Sequence, residues 1–289
     1  MRQSGSAAVR QRLSRGALLL ILVPAGSVSA QSRAVVEQER RDFAAWMQSA
    51  PLSPRRAVGV FPIGSGLSFG PARAQVPLAG VAAGELSERE GRIRLKQGGR
   101  ERPLTRGRAE PLGGWYLVPS GTAGRTIVTV FGRQLRAGKP PSWFPYDSSL
   151  VLRVTLTRAA APASQRVLAP DGTEVEATEA GTVSFSLGGK SQSLRVLRLP
   201  GAQEEESELE IYFRDPSNDR GTYPAGRFVS LIPEPGGGYL LDFNRARNPF
   251  CAYNTAYPCP APWRGNTLVV SVQAGERYQG GGLTPPPGS

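Results

Sequence analysis

The fold is decided by residues 210–278, which read EIYFRDPSNDRGTYPAGRFVSLIPEPGGGYLLDFNRARNPFCAYNTAYPCPAPWRGNTLVVSVQAGERY. Short apolar runs in this segment alternate with turn-forming glycine and proline. The runs Arg227–Leu231 and Tyr239–Phe243 predict two β-strands, and the glycines at 236–238 supply the turn between them. Both cysteines of the chain also lie here, with much of its aromatic and amide content. Such interleaving is typical of a built site or of a tightly specified corner.

The rest of the chain continues the β pattern behind a single helix. Apolar residues at helical spacing predict the helix over Gln31–Gln48, and Pro51 ends it. The other predicted strands are Val58–Ile63, Leu67–Phe69, Val76–Leu78, Val81–Leu86, Ile93–Leu95, Trp115–Val118, Thr126–Arg136, Leu150–Thr157, Gln165–Leu168, Thr173–Ala177, Thr182–Leu187, Gln192–Leu197, Leu209–Phe213 and Thr267–Val272. This pattern predicts an all-β fold with two sheet-based units, each a sandwich or partly open barrel.

The predicted organisation follows from these runs and from composition. It comprises a signal peptide (1–30), an N-terminal helix (31–50), a first β-unit (55–160), a second β-unit (163–279) and a disordered tail (280–289).

The N-terminus has the pattern of a secretory signal. Four arginines precede a short apolar core, Ala17–Val23, and the small residues at 28–30 suit cleavage before Gln31. The core is too short to span a bilayer, and no transmembrane candidate follows once the signal is removed. We therefore expect an exported protein, periplasmic or extracellular. An uncleaved anchor is the alternative.

The charge pattern limits the partners. Removing residues 1–30 removes four arginines and no acidic residue, which lowers the formal charge from +12 to +8. The remaining arginines are interspersed with acids, as in Glu88-Arg89-Glu90, and no aromatic-basic stripe accompanies them. The pattern argues against nucleic acid. It predicts a weak attraction to anionic surfaces, and the partner is otherwise an unknown small ligand or envelope component.

The absence of histidine from the sequence excludes much chemistry. The commonest general base and the commonest metal ligand are both missing. Residues 66–70, Gly-Leu-Ser-Phe-Gly, match the nucleophile pattern of hydrolases, but that motif needs a histidine and a strand-to-helix turn. We predict no metal and no cofactor. The segment Asp215–Asp219 offers oxygen ligands for a weak calcium site, with an Asx-type turn as the alternative.

The two cysteines lie eight residues apart. In an exported protein, Cys251 and Cys259 predict a disulfide bond. Two buried thiols are the first alternative. A reactive thiolate, activated by a nearby arginine such as Arg245, is the second.

Polar residues of the same segment are the candidate site. The catalytic role is unassigned; the carboxylates that could supply an acid and a base are Asp215, Asp242 and Glu276. The candidate binding residues are Tyr223, Arg227, Asn244, Arg245, Asn248, Tyr253 and Asn266. A period of two along the strand turns Asp242 away from Leu241, where it could meet Arg227 in a buried structural ion pair. Under that alternative the residues hold a corner together and perform no reaction.

The same residues resemble a known family. The runs Phe213-Arg214-Asp215, Gly226-Arg227-Phe228, Leu241-Asp242-Phe243-Asn244-Arg245, Cys251-Ala252-Tyr253 and Ala274-Gly275-Glu276 are similar to the signature of an uncharacterised bacterial family catalogued as domain of unknown function 1684. That family has no assigned activity, so the resemblance implies no reaction. This chain has Gly265-Asn266-Thr267 where the family tends to have Glu-Asn-Arg. An activity that needed that acid and arginine would be lost here.

Three functional hypotheses follow from the sequence. The first is a non-enzymatic exported β-module that binds a small ligand, glycan or envelope partner. The second is a histidine-free hydrolase that uses two carboxylates around Asp215, Asp242 and Glu276. A third, an envelope-assembly factor without a pocket, also fits. The burial of these acids discriminates between them, because a catalytic acid must reach its substrate.

Overall fold

The structure, a computed structural model, describes residues 25–136, 139–200, 207–261 and 263–280. In these residues one α-helix precedes three β-sheets, which confirms the all-β prediction. The predicted signal peptide up to residue 24 and the predicted tail beyond residue 280 lie outside the described residues. Within those ranges, no helix has the length and apolar character needed to cross a membrane.

The elements follow one another along the chain in this order: α1 (Ala25–Ser49), β1 (Ala57–Pro62), β2 (Leu67–Gly70), β3 (Val76–Pro77), β4 (Gly84–Arg89), β5 (Arg92–Gln97), β6 (Arg100–Leu104), β7 (Glu110–Leu112), β8 (Trp115–Ser120), β9 (Ile127–Phe131), β10 (Val151–Val154), β11 (Leu156–Arg158), β12 (Ser164–Leu168), β13 (Glu174–Leu187), β14 (Lys190–Pro200), β15 (Ser207–Phe213), β16 (Arg227–Pro233) and β17 (Tyr239–Asp242).

Helix α1 packs its apolar stripe against the C-terminal half of the chain. Met47 is fully buried, and the Phe43 ring lies 6.4 Å from the Trp143 ring in an edge contact. The ring centroid of Trp46 lies 6.1 Å from that of Phe250. The helix begins at Ala25, six residues before the predicted start at Gln31. The apolar face of α1 therefore contacts residues 210–278, through Trp46 and Phe250.

The N-terminal sheets form a sandwich. One sheet has the order β1-β9-β8-β7 and the other the order β3-β2-β4-β5-β6. Alternate residues of both sheets, such as Leu86, Leu95, Leu117 and Val130, enter a single core. Strands β6 and β7 were not predicted, because their charged and proline-containing sequences lack an apolar alternation.

The C-terminal sheet is nearly closed into a barrel. Its order is β10-β17-β16-β15-β14-β13-β11, with β12 also pairing with β13. Strands β10 and β11 stand at opposite ends of that order, yet only Thr155 separates them in the chain. The predicted strand Leu150–Thr157 is therefore divided between both edges of the sheet. Inward side chains, including Phe213, Val229 and Leu241, fill the interior.

Three other predicted strands differ from the structure, two in their boundaries and one in not being a strand. The runs Thr173–Ala177 and Thr182–Leu187 belong to one long strand, β13, with a bulge between Glu179 and Gly181. A side chain at Gly181 would clash with the Thr157 carbonyl oxygen, so glycine is required there. The segment Thr267–Val272 is not a strand, and only Thr267 forms a bridge, to Arg214. Two of its apolar residues, Leu268 and Val272, are nevertheless buried in the barrel core.

Candidate functional site

The deepest polar contact joins Arg227 to Asp215. Arg227 begins β16 and is fully buried, and its Nη2 donates to Asp215 Oδ2 at 3.0 Å. The guanidinium also donates to the backbone carbonyls of Val272 and Ala274. Asp215 Oδ1 accepts from the backbone N–H groups of Ser217 and Val272, at 2.8 and 3.0 Å. The pair therefore ties residues 272–274 to the end of the β15–β16 hairpin.

The predicted pair of Arg227 with Asp242 is therefore wrong. Asp242 is the last residue of β17, and its Oδ1 accepts from the N–H of Asn244 at 2.9 Å. The chain turns there into a short 3-10 helix, Phe243–Arg245. Alternation with a period of two ends with the strand, so it does not extend to the side chains beyond it. The nearest cation of Asp242 is Arg245, at 3.5 Å.

Asn244 connects this corner to the segment before β10. Its side-chain oxygen accepts from the N–H of Asp147, and its Nδ2 donates to the Asp147 carbonyl, both at 2.8 Å. Helix α1 covers the same place, since Arg40 donates to the Asn244 carbonyl oxygen at 2.8 Å. Arg245 in turn lies 3.2 Å from Glu39 of the helix. The corner is thus closed from outside by α1.

Glu276 and Asn248 form a separate buried contact. Glu276 Oε2 accepts from the Asn248 N–H at 2.7 Å, and both side chains are almost completely buried. Glu276 Oε1 and Asn248 Oδ1 have no hydrogen-bond partner among the described residues. Burial raises the pKa of Glu276 to about 8, partly offset by the Asn248 N–H and by Arg247 and Arg227. Glu276 is therefore mainly an uncharged carboxylic acid at neutral pH.

Gly275, the residue before Glu276, has to be a glycine for steric reasons. Gly275 has φ +71°, a left-handed conformation that glycine adopts readily. A β-carbon at this position would lie 2.7 Å from the Phe243 carbonyl oxygen and 2.6 Å from that of Ala246. The run Ala274-Gly275-Glu276 can therefore approach the Phe243–Ala246 backbone, and the Glu276 N–H donates to the Ala246 carbonyl at 2.8 Å.

The two cysteines form the predicted disulfide bond. Their Cα atoms lie 5.5 Å apart, well within the range that a disulfide spans. The Tyr223 hydroxyl lies 3.3 Å from each sulfur atom, and burial raises the pKa of Tyr223 to about 12. The bridged loop packs against Ala57 and Phe131 of the sandwich. The disulfide therefore lies at the joint between the sandwich and the barrel.

The Asn266 side chain forms hydrogen bonds with the backbone of strand β14. Its Oδ1 accepts from the Arg195 N–H at 2.8 Å, and its Nδ2 donates to the Arg195 carbonyl at 2.9 Å. The side chain thus imitates a neighbouring strand. Trp263, three residues earlier, packs edge-on against Tyr212 and Phe228 outside the barrel. Asn266 and Trp263 therefore hold together the outer wall of the barrel.

In the segment proposed as a calcium site, the Asn218 side chain is hydrogen-bonded to the backbone of the turn. Asn218 Oδ1 accepts from the Asp215 N–H, and Asn218 Nδ2 donates to the Tyr223 carbonyl, both at 2.6 Å. Ser217 and Thr222 pair through their hydroxyl oxygens at 3.0 Å. The part of the chain that the structure describes holds no group of three or more metal-ligating His, Cys, Asp or Glu side chains. The Asx-type turn is the alternative that the geometry matches.

The predicted site residues do not converge on one cleft. They divide into local contacts: Arg227 with Asp215, Asp242 with Asn244 and Arg245, and Glu276 with Asn248. Tyr223 contacts the disulfide, and Asn266 hydrogen-bonds to β14. Tyr253 is half-buried, and its hydroxyl has no partner within the part of the chain that the structure describes. Their assigned binding roles stay predictions.

Sequence reasoning missed several buried polar residues, among them Asn254 and Glu210. Asn254, inside the disulfide loop, donates to the Pro54 and Ala57 carbonyls at 2.8 and 2.7 Å and joins the two units. Glu210 lies on the outer face of β15, where Ser230 donates to it and Arg247 lies at 3.4 Å. The alternation Leu209-Glu210-Ile211 could have identified Glu210 as facing away from the core. It could not show that this outer face is covered as well.

Comparison with known proteins places this arrangement in a family. Residues 140–277 match the family model described as "Protein of unknown function (DUF1684)". The solution NMR structure of an uncharacterized protein from Haloarcula marismortui is 33% identical, over 48% of this chain and 76% of that chain, with a TM-score of 0.41. No curated protein matches this chain significantly. These similarities assign no activity, so the chemistry has to be argued from the residues themselves.

Proposed function

The chain belongs, through residues 140–277, to the family described as "Protein of unknown function (DUF1684)"; from that premise, we propose that it is a non-enzymatic exported β-module that binds a small ligand, glycan or envelope partner. In this proposal the signature residues are the framework of the module. Binding takes place on other surfaces.

One observation carries the proposal. The three candidate acids are at most 5% exposed: Asp215 is 5%, Asp242 is 1% and Glu276 is 1% exposed. Each accepts a hydrogen bond from a backbone N–H group, which fixes a turn or a neighbouring segment. A general acid or base must reach the reacting atoms within hydrogen-bond distance. Side chains that are sealed and engaged in this way support a structural role.

The hydrolase alternative retains one specific observation. Glu276 has an unpartnered carboxylate oxygen and a pKa of about 8, so it could donate a proton at neutral pH. A substrate could reach it only if the surrounding segments opened. Glu276→Gln separates the hypotheses, because a general acid is lost in this variant while the shape of the side chain is kept.

The test combines stability with activity. We expect the wild-type protein to release no chromophore from a panel of chromogenic glycosides. Asp215→Asn should lower the free energy of unfolding. The proposal is overturned if the wild-type protein hydrolyses a glycoside and Glu276→Gln or Asp242→Asn abolishes that hydrolysis without changing the melting temperature.

Export is a separate part of the proposal. It rests on the basic, apolar and small-residue pattern of residues 1–30. N-terminal sequencing of protein recovered from the periplasm or the medium should begin at Gln31. Recovery only from the cytoplasm, with Met1 intact, would overturn it.

A further inference from the structure

The positive charge of this chain is concentrated in its N-terminal half, in the sandwich and the segments that flank it. Residues 54–139 contain fifteen Lys and Arg against five Asp and Glu, a net charge of +10. Residues 140–289 contain thirteen Lys and Arg against fifteen Asp and Glu, a net charge of −2. The family signature therefore contributes nothing to the basic character. A negatively charged partner would be attracted to this N-terminal half of the chain.

Within the sandwich, the β4–β5 hairpin holds two arginines in an unfavourable arrangement. Arg89 and Arg92 are directly opposite in the antiparallel register, on either side of the turn at Glu90 and Gly91. Like charges directly opposite on a sheet destabilise it. Both side chains are exposed, and neither makes an ion pair with any described residue, including the adjacent Glu90. The two cations are therefore available to an external anion.

A groove begins beside this pair. Its volume is about 370 Å³, and its lining includes Arg92, Arg94, Pro103, Thr105 and Arg106. Arg94 stands opposite Pro103 on the outer face, and its Nε lies 3.3 Å from Glu101. The groove runs along the junction of β5 with β6, which is the last strand of its sheet.

Arg106 lines one side of the groove and is held in place by hydrogen bonds. It donates to the Gly91 carbonyl at 3.0 Å, to Thr126 Oγ1 at 2.7 Å and to Glu88. The first of these bonds holds the Arg89–Arg92 turn against the groove. The arrangement combines two guanidinium groups that pair with no described acidic residue and a concave surface beside them.

We propose that the arginine hairpin, defined as Arg89 and Arg92 with the adjoining groove, binds a segment of an anionic polysaccharide. Guanidinium groups match carboxylate, sulfate and phosphate oxygens in paired hydrogen bonds. The inference names a partner class for the binding function proposed above and rests on it.

A polymer chain suits this surface better than a lipid bilayer. A bilayer is flat, whereas the groove is concave. The exposed large apolar side chains of the described residues are Val35, Val58 and Val269, and none belongs to β4, β5 or β6. This face thus presents no such group for insertion into lipid.

The test compares two double variants that each remove two exposed arginines of the sandwich. Arg89→Gln/Arg92→Gln removes the hairpin pair, and Arg73→Gln/Arg100→Gln is the control of equal charge. The probes are immobilised polygalacturonate and dextran sulfate, with neutral dextran as the baseline. We expect the hairpin variant to bind at least about tenfold more weakly, because charge-assisted hydrogen bonds are lost. The control should lose less than about threefold, since it only lowers the overall charge.

Each other outcome overturns the proposal. Equal weakening of the two variants would mean that net charge alone attracts the polymer. Wild-type binding no stronger to either polyanion than to neutral dextran would exclude the partner class. Binding to phosphatidylglycerol vesicles but to neither polymer would assign the arginines to a membrane. The unfolding midpoint of the hairpin variant should be unchanged or slightly higher, because the opposed charges are gone. Failure here leaves the non-enzymatic proposal standing, because that proposal is tested on Asp215, Asp242 and Glu276.

Discussion

Arg227 and Asp215 form an ion pair that is closed to solvent on every side. The Nη2–Oδ2 distance is 3.0 Å, and both side chains are fully buried. Burial lowers the pKa of Arg227, and the carboxylate of Asp215 opposes that effect. The ring of Phe213 lies under the guanidinium, 5.3 Å from its centre. Arg227 is the first residue of β16, and Asp215 lies in the turn after β15. The pair therefore fixes the end of this hairpin.

Asp215→Asn should therefore be strongly destabilising. It leaves a buried guanidinium without a counter-charge, and we expect a loss of about 3–5 kcal/mol in the free energy of unfolding. Asp242→Asn should cost about 1 kcal/mol, because Asp242 mainly caps the short helix that follows and asparagine can cap too. Urea unfolding of the two variants measures the difference. A larger loss in Asp242→Asn would contradict the pairing.

Stability should fall as the pH rises from about 5 to 8. Glu276 binds a proton in the folded state up to a pKa of about 8, whereas its unfolded value is 4.5. Between those values the folded state holds one proton more than the unfolded state. The free energy of unfolding then decreases with pH, by at most about 1.4 kcal/mol per unit from this group.

Glu276→Gln should flatten that slope. The sequence has no histidine, so the usual titrating group is missing from this pH range. Burial also raises the pKa of Glu210, and Glu210→Gln provides the comparison for a second buried acid. Urea unfolding at several pH values between 5 and 8 gives the three slopes. An unchanged slope in Glu276→Gln would show that Glu276 is ionised in the folded protein.

Loss of the disulfide should weaken the joint between the sandwich and the barrel. The chain-entropy relation gives about 2.5 kcal/mol for so short a loop. Cys251→Ala/Cys259→Ala should lose about that amount against the oxidised wild type, and should be insensitive to a reducing agent. Alkylation followed by mass spectrometry checks the bond directly. Two alkylated thiols in the unreduced protein would show that the bond is absent.

Asn266→Asp should loosen β14. The carboxylate cannot donate to the Arg195 carbonyl, so one hydrogen bond becomes a repulsive contact between oxygens. We expect a loss of about 1–3 kcal/mol and faster amide exchange at Arg195. Gln273→Glu, at an exposed position in the same segment, is the control for adding a negative charge. Equal effects of the two changes would argue against a special role for the Asn266 amide.

The sequence predicted those features that depend on neighbouring residues. Apolar spacing identified helix α1, and alternation between glycine and proline turns identified most strands. The glycines at 236–238 predicted the β16–β17 turn. The short separation of Cys251 from Cys259 made their pairing the simplest expectation. Such signals work because periodicity and turn chemistry act over a few residues.

Contacts between distant segments could be decided only by the tertiary structure. Strand pattern suggested Asp242 as the partner of Arg227, but β17 ends at Asp242 and the chain turns away. Asp215 takes its place, because the turn after β15 returns the chain to the start of β16. Likewise, Glu210 alternates with apolar residues as an exposed residue would, yet the outer face of its strand is covered. Burial depends on which segments pack together, and local sequence does not specify that. The sequence therefore determined the β-rich fold class, whereas the tertiary structure decided that Asp215, Asp242 and Glu276 are buried.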